Sequence, residues 1–241
     1  MPYTYPFPRP AVTCDVVVFT IRGDDLVVLL VKRKDDPYKG AWALPGGFVD
    51  ENEPLDRAAL RELQEETGVS GVRLEQLGAF GDPGRDPRGH TVTVAWVTFL
   101  VAEAAILAGD DAAEAQWHPF RSLALDGAPV SASVPPAPLR KGRKRPATPN
   151  VRLAFDHAKI LARAYRRICK HLDDPVRDQA FDIMPPRFTL AELKRIYDVV
   201  LGRTISPNVI KRYIVDRGLA VPAASKPAGK RSTQLYRWNR R

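Results

Sequence analysis

Between Gly47 and Val69 the chain reads GFVDENEPLDRAALRELQEETGV, and its acids keep a spacing that an ordinary surface helix has little reason to maintain. Pro54 suits a first helical turn, where its missing N–H costs little, and Gly68 supplies a C-terminal stop. Leu55, Ala58 and Ala59 follow helical spacing between them, and the same stripe continues into Glu62, Glu65 and Glu66. Like charges three and four residues apart repel, so this stripe weakens its own helix unless a cation sits over it. Hard divalent ions take oxygen ligands; Mg²⁺ typically binds one or two carboxylates, several waters and substrate phosphates. Taken alone, the glutamates also admit a solvated acidic face, with Leu60 and Leu63 as the buried stripe.

The wider pattern narrows that choice. Gly47, five residues, Glu53, seven residues, then Arg61-Glu62-Leu63-x-Glu65-Glu66-x-Gly68-Val69 resembles the complete Nudix box, with no departure at a defining position. The resemblance implies an α/β fold, an α/β/α sandwich that carries the box as a loop–helix–loop. It also implies hydrolysis of a nucleoside diphosphate linked to another group. Glu62, Glu65 and Glu66 would then hold Mg²⁺ or Mn²⁺, Glu53 would support the site, and Arg61 would orient the acids through a salt bridge. The carbonyl of Gly46 would be a further metal ligand, by analogy with pyrophosphatases acting on ADP-ribose.

At 241 residues the chain can form one large or two smaller domains, and 44% hydrophobic with 27% charged residues is ordinary globular composition. Cys14 and Cys169 have neither metal-site spacing nor a disulfide framework, which suits a reducing compartment. The opening MPYTYPFPRP has no apolar signal core, and no apolar run approaches membrane-spanning length. A soluble cytoplasmic protein is the expectation.

The formal charge of +9 is unevenly distributed. From Arg187 to Arg241 there are 13 Lys/Arg and 3 Asp/Glu, leaving 24 basic and 25 acidic residues for the rest. A near-neutral body with a basic final quarter suggests a polyanionic partner, nucleic acid first.

Val12 to Arg22 is rich in β-branched residues, Gly23-Asp24-Asp25 is a hairpin signal, and Leu26 to Lys32 reads as a second strand. Paired Gly46 and Gly47 permit close backbone approach at the entry to the box. Arg73–Phe80, His90–Val101 and Ala115–Pro119 read as later strands. In the loop 81–90, Pro and Gly account for the turns but not for two arginines three residues apart. A guanidinium offers forked donors to phosphate, and the loop resembles that of Nudix proteins handling ADP-ribose, so Arg85 and Arg88 are candidates to hold a pyrophosphate. Asp110 and Asp111 read as solvated loop acids, although related pyrophosphatases use a carboxylate in a comparable loop as base or extra metal ligand. His90 and His118 read as structural.

Residues 126–150 carry many Pro and Ala and then Arg140, Lys141, Arg143, Lys144 and Arg145, a linker or surface insertion. Val151 to Leu172 returns to helical periodicity, with Asn150 as a possible cap and Asp173-Asp174-Pro175 as its end. Thr189-Leu190-Ala191-Glu192 is a capping-box signature, and Gly202 stops the helix it begins. Ser206-Pro207 opens a second helix, with Val209, Ile210, Tyr213 and Ile214 facing inward and Gly218 ending it. Two short helices, then Leu219–Val221 and Gln234–Trp238 flanking a long basic tip, form a winged helix-turn-helix pattern. Asn208, Lys211 and Arg212 would face a major groove, and Lys226, Lys230 and Arg231 would contact backbone phosphates from the wing.

The whole chain is similar to Nudix-related transcriptional regulators of NAD metabolism, through the box, Leu153-Ala154-Phe155-Asp156-His157-Ala158 and Gln234-Leu235-Tyr236. Composition and periodicity divide the chain into a Nudix domain at 1–125, a linker or insertion at 126–150 with no counterpart in the resembled family, a helical connector at 151–186 and a smaller winged helix-turn-helix domain at 187–241. The resemblance implies a homodimer through the Nudix domain, ADP-ribose or a related nucleoside diphosphate as ligand, and double-stranded DNA as partner. Many members carry eroded boxes and do not hydrolyse; the intact box here favours retained pyrophosphohydrolase activity.

Overall fold

In the computed structural model, residues 5–101, 115–123, 125, 151–176, 183–228 and 231–240 are described, with only the main chain at 224–228 and 231–232. The apolar N-terminal run forms strand β1 (Ala11–Arg22), which turns at Gly23-Asp24 into antiparallel β2 (Asp25–Lys32), with Arg22 opposite Asp25. One edge of β1 is shared: Thr13 to Asp15 pair with short β4 (Gly46–Phe48), and Phe19 to Arg22 pair with β2. Along its other edge β1 runs parallel to β6 (Thr91–Phe99), which pairs antiparallel with β5 (Glu75–Phe80). Strands β3 (Trp42–Ala43) and β7 (Ala115–Pro119) complete the sheet against β2.

Alternation along β1 sends its side chains to opposite faces, and both faces are apolar. Val16 and Val18 pack with Ala58, Ala59 and Leu63 of helix α1 (Leu55–Thr67). Val17 and Phe19 pack with Ile160, Leu161, Ala164 and Ile168 of helix α2 (His157–Asp173). One helix on each side of a central sheet is the α/β/α sandwich expected from the box.

Helix α2 starts six residues later than its periodicity suggested. Val151 and Leu153 form parallel bridges to Leu123 and Trp42, and the Ala154 N–H donates to the Trp42 carbonyl at 2.8 Å. Those main-chain groups extend the sheet, Phe155 then turns the chain at φ +53°, and Asp156 stands at the N-cap position without a side-chain cap bond. The expected cap, Asn150, lies outside the described residues.

Helix α3 (Leu190–Val200) begins with the anticipated capping box, Thr189 and Glu192 each bonding the other's main-chain N–H. Ser206 and Pro207 open α4 (Pro207–Ile210), which widens into π-type turns over Lys211–Val215. The wing, β8 (Ala220–Ala228) and β9 (Arg231–Trp238), is longer than the expected strands. Pro222 and Pro227 lie within β8, where a two-stranded ribbon leaves free edge positions and a missing N–H is harmless. Its pairing slips between Pro222 and Ser225.

The second helical unit shares a core with the first. Leu193, Tyr197, Val200, Ile210 and Ile214 are buried in one cluster with Ile160, Ile168 and Leu172 of α2. Three phenol hydroxyls donate across this junction: Tyr165 to the Val200 carbonyl at 2.8 Å, Tyr197 to Leu172 at 2.6 Å and Tyr213 to Asp173 at 2.7 Å. Among the described residues no helix is long and apolar enough to cross a membrane. Leu193→Ala, at a fully buried position of the shared core, is expected to cost about 2–5 kcal/mol with one cooperative unfolding transition retained; two separated calorimetric transitions would contradict a continuous core.

Candidate ligand pocket and nucleic-acid interface

The box helix is positioned by a glycine pair: a side chain at Gly46 would meet main chain, and one at Gly47 would displace the Glu62 carboxylate. A Cβ at Gly46, whose φ is +154°, would lie 2.1 Å from the Cys14 carbonyl oxygen, and one at Gly47 would lie 2.5 Å from Glu62 Oε1. Close approach lets the Gly46 N–H donate to Glu66 Oε2 at 2.8 Å. Burial, with Glu62 and Asp15 nearby, pushes the Glu66 carboxyl up to about 7 despite that bond. Arg61 serves three acids: it donates to Glu53 at 2.9 and 2.8 Å, to Glu62 at 2.7 Å and to Glu65 at 3.3 Å. Its bonds hold the Glu53 carboxyl below the usual range, and Arg61 is itself raised by Glu53 and Glu62.

Fit to a divalent ion follows from the donor set. Glu62, Glu65 and Glu66 offer hard oxygens, and the half-buried Glu66 has acidic neighbours that favour a cation. No three acidic, His or Cys side chains converge into a closed metal cage among the described residues. The arrangement fits an ion that keeps waters and takes ligand phosphates, as Mg²⁺ does. Gly46 reaches this wall through its N–H, which holds Glu66.

Glu65 and Glu66 line a cavity of about 530 Å³ with Arg33, Phe48, Arg85, Arg88, Phe155 and His157. The two loop arginines reach this cavity, but both are already paired. Arg85 is 7% exposed, donates to Asp156 at 2.7 and 3.2 Å, and lies 3.5 Å from Asp15. Arg88 donates to Asp86 at 2.7 and 3.0 Å, which holds the Asp86 carboxyl below the usual range. Arg33 differs: its described bonds go to main-chain carbonyls, Pro37 at 2.7 Å and Asp35 at 3.3 Å, and it lies 4.8 Å from the Phe155 ring centroid.

Sequence reasoning missed Arg33 and His157. Arg33 sits one residue beyond β2, a position visible only once β2 and the Gly46 turn share a cavity wall. His157 is buried, and burial keeps its imidazole below the usual range. Its Nδ1 accepts the Leu44 N–H at 2.9 Å, so in the neutral ring Nε2 carries the proton, 3.5 Å from Asp15 Oδ1. The sequence signal was the Leu153–Ala158 segment, quoted for its resemblance and given no role. Asp110 and Asp111 lie outside the described residues; His118 packs against Trp42 at 4.3 Å.

At the other end, Asn208, Lys211 and Arg212 are exposed around a shallow depression. Val209 joins them at 44% exposure, where inward packing was expected, because Ile210 and Ile214 fill the core side of this short helix. Lys226 and Arg231 stand near the wing tip by strand register, and Lys230 lies outside the described residues.

A NUDIX domain model matches residues 9–137, and a model of the NrtR DNA-binding winged helix domain matches residues 180–238. The ADPR responsive transcriptional repressor NtrR of Acinetobacter baylyi is 34% identical over 238 residues, covering 96% of this chain and 83% of that protein. The crystal structure of Shewanella oneidensis NrtR complexed with a 27mer DNA matches with TM-score 0.69 at 29% identity, over 95% of this chain and 93% of that one. The NUDIX domain of the same protein complexed with ADP ribose matches with TM-score 0.51 at 31% identity, over 68% of this chain and 94% of that one. With both halves matched in order, the chain belongs to the Nudix family, in the branch that joins a Nudix domain to an NrtR-type winged helix.

Proposed function

We propose that this protein is an ADP-ribose-responsive transcriptional regulator that has kept pyrophosphohydrolase activity. The observation that carries the reading is the packed core that α2 shares with the winged helix, since α2 begins at cavity-lining His157 and ends against the helices that expose the basic residues. Residues 1–125 form the ligand domain, 151–186 the connector and 187–241 the DNA-binding domain. A homodimer through the Nudix domain would present two winged helices to one duplex, the arrangement that two-fold operators require.

The ligand's diphosphate lies between the glutamate wall and Arg33. Mg²⁺ or Mn²⁺, when bound by Glu62, Glu65 and Glu66, supplies charge for the phosphates and a more acidic water. Arg61 keeps those acids in register by spanning Glu53, Glu62 and Glu65, and the Gly46 N–H fixes Glu66. Arg33 neutralises the diphosphate because its guanidinium has no carboxylate partner among the described residues. Arg85 and Arg88 shape the wall, their charges balanced by Asp15, Asp156 and Asp86. With an intact box, ADP-ribose yields AMP and ribose 5-phosphate. This activity separates the reading from a silent sensor, and specific duplex binding separates it from a purely metabolic hydrolase.

Glu66→Gln is expected to lower Mg²⁺-dependent AMP release from ADP-ribose at least ~100-fold with the fold intact; unchanged turnover rejects the assignment. Arg33→Met should weaken ADP-ribose binding about 10- to 100-fold at unchanged stability, the range of a lost charge-assisted bond. Arg85→Met should instead cost about 3–5 kcal/mol of stability, because Asp156 and Asp15 lose their buried counter-charge. Calorimetry and melting of both variants decide between the arginines, and a reversed pattern returns the diphosphate to Arg85. Lys211→Ala should weaken binding to a duplex of the chain's own upstream region and reduce the log–log salt slope by about 1; an unaltered slope removes Lys211 from the interface.

A further inference from the structure

Among the described residues, the large hydrophobic side chains left exposed all lie at or before Leu55, with one exception. That exception is Val209, which is 44% exposed and lines a shallow depression with Asn208, Lys211, Arg212 and Asp216. The core does not need it, because Ile210 and Ile214 fill the inward side of the same segment. The helix does not need it either, since a β-branched residue is a poorer helix former than alanine or lysine. A single exposed valine is ordinary on a protein surface; one set among a carboxamide, an ammonium and a guanidinium on a polyanion-facing helix has a narrower range of uses.

The direction of this side chain is fixed from both ends of its segment. Before α4, the Asp198 carboxylate accepts the Ile205 N–H at 2.7 Å and the Asp198 carbonyl accepts the Arg203 N–H at 3.1 Å, which shapes the turn out of α3. The Val209 N–H then donates to the Ser206 carbonyl at 3.0 Å. On the inward side the Tyr213 hydroxyl ties the segment to the Asp173 carbonyl of α2. Val209 therefore stands outward as the third residue of α4, three positions before Arg212 and on the same face.

The polar neighbours find partners on phosphates and base edges, whereas an isopropyl group gains only from another apolar surface. In the major groove that surface is the C5-methyl of thymine; the other three bases present donors and acceptors there. The first residues of a recognition helix are the ones that reach base edges. We propose that Val209 reads thymine, packing its methyl groups on the C5-methyl of a T·A pair at one fixed position beneath the winged helix. This rests on placing that domain on duplex DNA and adds a requirement on the sequence it binds.

The test begins by selecting a duplex from a random-sequence pool with the full chain. Each thymine of the selected duplex is then replaced in turn by deoxyuridine, which removes the methyl group and keeps the base pair. Fluorescence anisotropy gives the affinities of the wild type, Val209→Ala and Val209→Ser, and melting temperatures monitor folding. At one thymine position the wild type should lose affinity roughly three- to tenfold, the worth of one or two buried methyl groups. Both variants should bind the all-thymine duplex more weakly by a similar factor and be indifferent to that uracil. A wild type indifferent to every uracil overturns the proposal. So does a folded variant that keeps the wild-type uracil pattern, even with weaker binding throughout, which would assign Val209 a structural role. A pool that enriches no sequence removes the DNA-binding reading itself, and the thymine contact with it.

Discussion

At Gly46, where β4 pairs with β1 beside α1, no side chain fits, and the chemistry of the cavity follows from that. Gly46 and Gly47 let the strand pass within bonding distance of the helix, so Glu66 is tied to a main-chain N–H and Glu62 is pressed against Gly47. The same pairing brings Asp15 opposite Gly46. Asp15 then meets Arg85 from a loop and His157 from the start of α2, both far along the chain. Negative charge is concentrated on one wall, where Arg61 bonds Glu53, Glu62 and Glu65, Arg85 bonds Asp156 and lies near Asp15, Arg88 bonds Asp86, and Glu66 takes the Gly46 N–H. Such an arrangement is stable only while its counter-charges remain in place, since an unpaired buried charge costs several kcal/mol.

What could be read from the sequence was local, and what could not was contact between distant segments. The box helix, the Thr189 capping box and β7 each follow from spacing within a dozen residues, and each is present where spacing put it. The roles of the arginines were not legible. Arg85 and Arg88 look like phosphate ligands because they share a turn, yet the acid that consumes Arg85 is Asp156, 71 residues away. Arg33 bonds only the nearby Asp35 and Pro37 carbonyls, and what the sequence hid is the cavity wall it shares with Gly46 and Glu66. The start of α2 failed for a related reason: Val151 and Leu153 have helical periodicity, but Trp42 and Leu123 offer them sheet pairing first. In the wing, the basic stretch between Val221 and Gln234 read as a long tip, whereas both its flanks pair in the ribbon.

The fold also explains how a small molecule and a duplex can act on each other. At the cavity end, Asp156 is gripped by Arg85, and along one face of α2 Lys159 pairs with Asp82 at 2.8 Å and Arg167 with Glu75 at 2.8 Å. Arg163, between them, lies over Phe80 at 5.8 Å. These contacts recur at helical spacing and run antiparallel to β5 and the loop that follows it, the loop that carries Arg85 and Arg88 into the cavity. The far end of α2 is held by Tyr197 and Tyr213, and Tyr213 directly follows the exposed Lys211 and Arg212. A ligand indifferent to the placement of that loop would leave DNA affinity unchanged however tightly it bound. One that favours a single placement must change duplex affinity by the same factor by which the duplex changes its own.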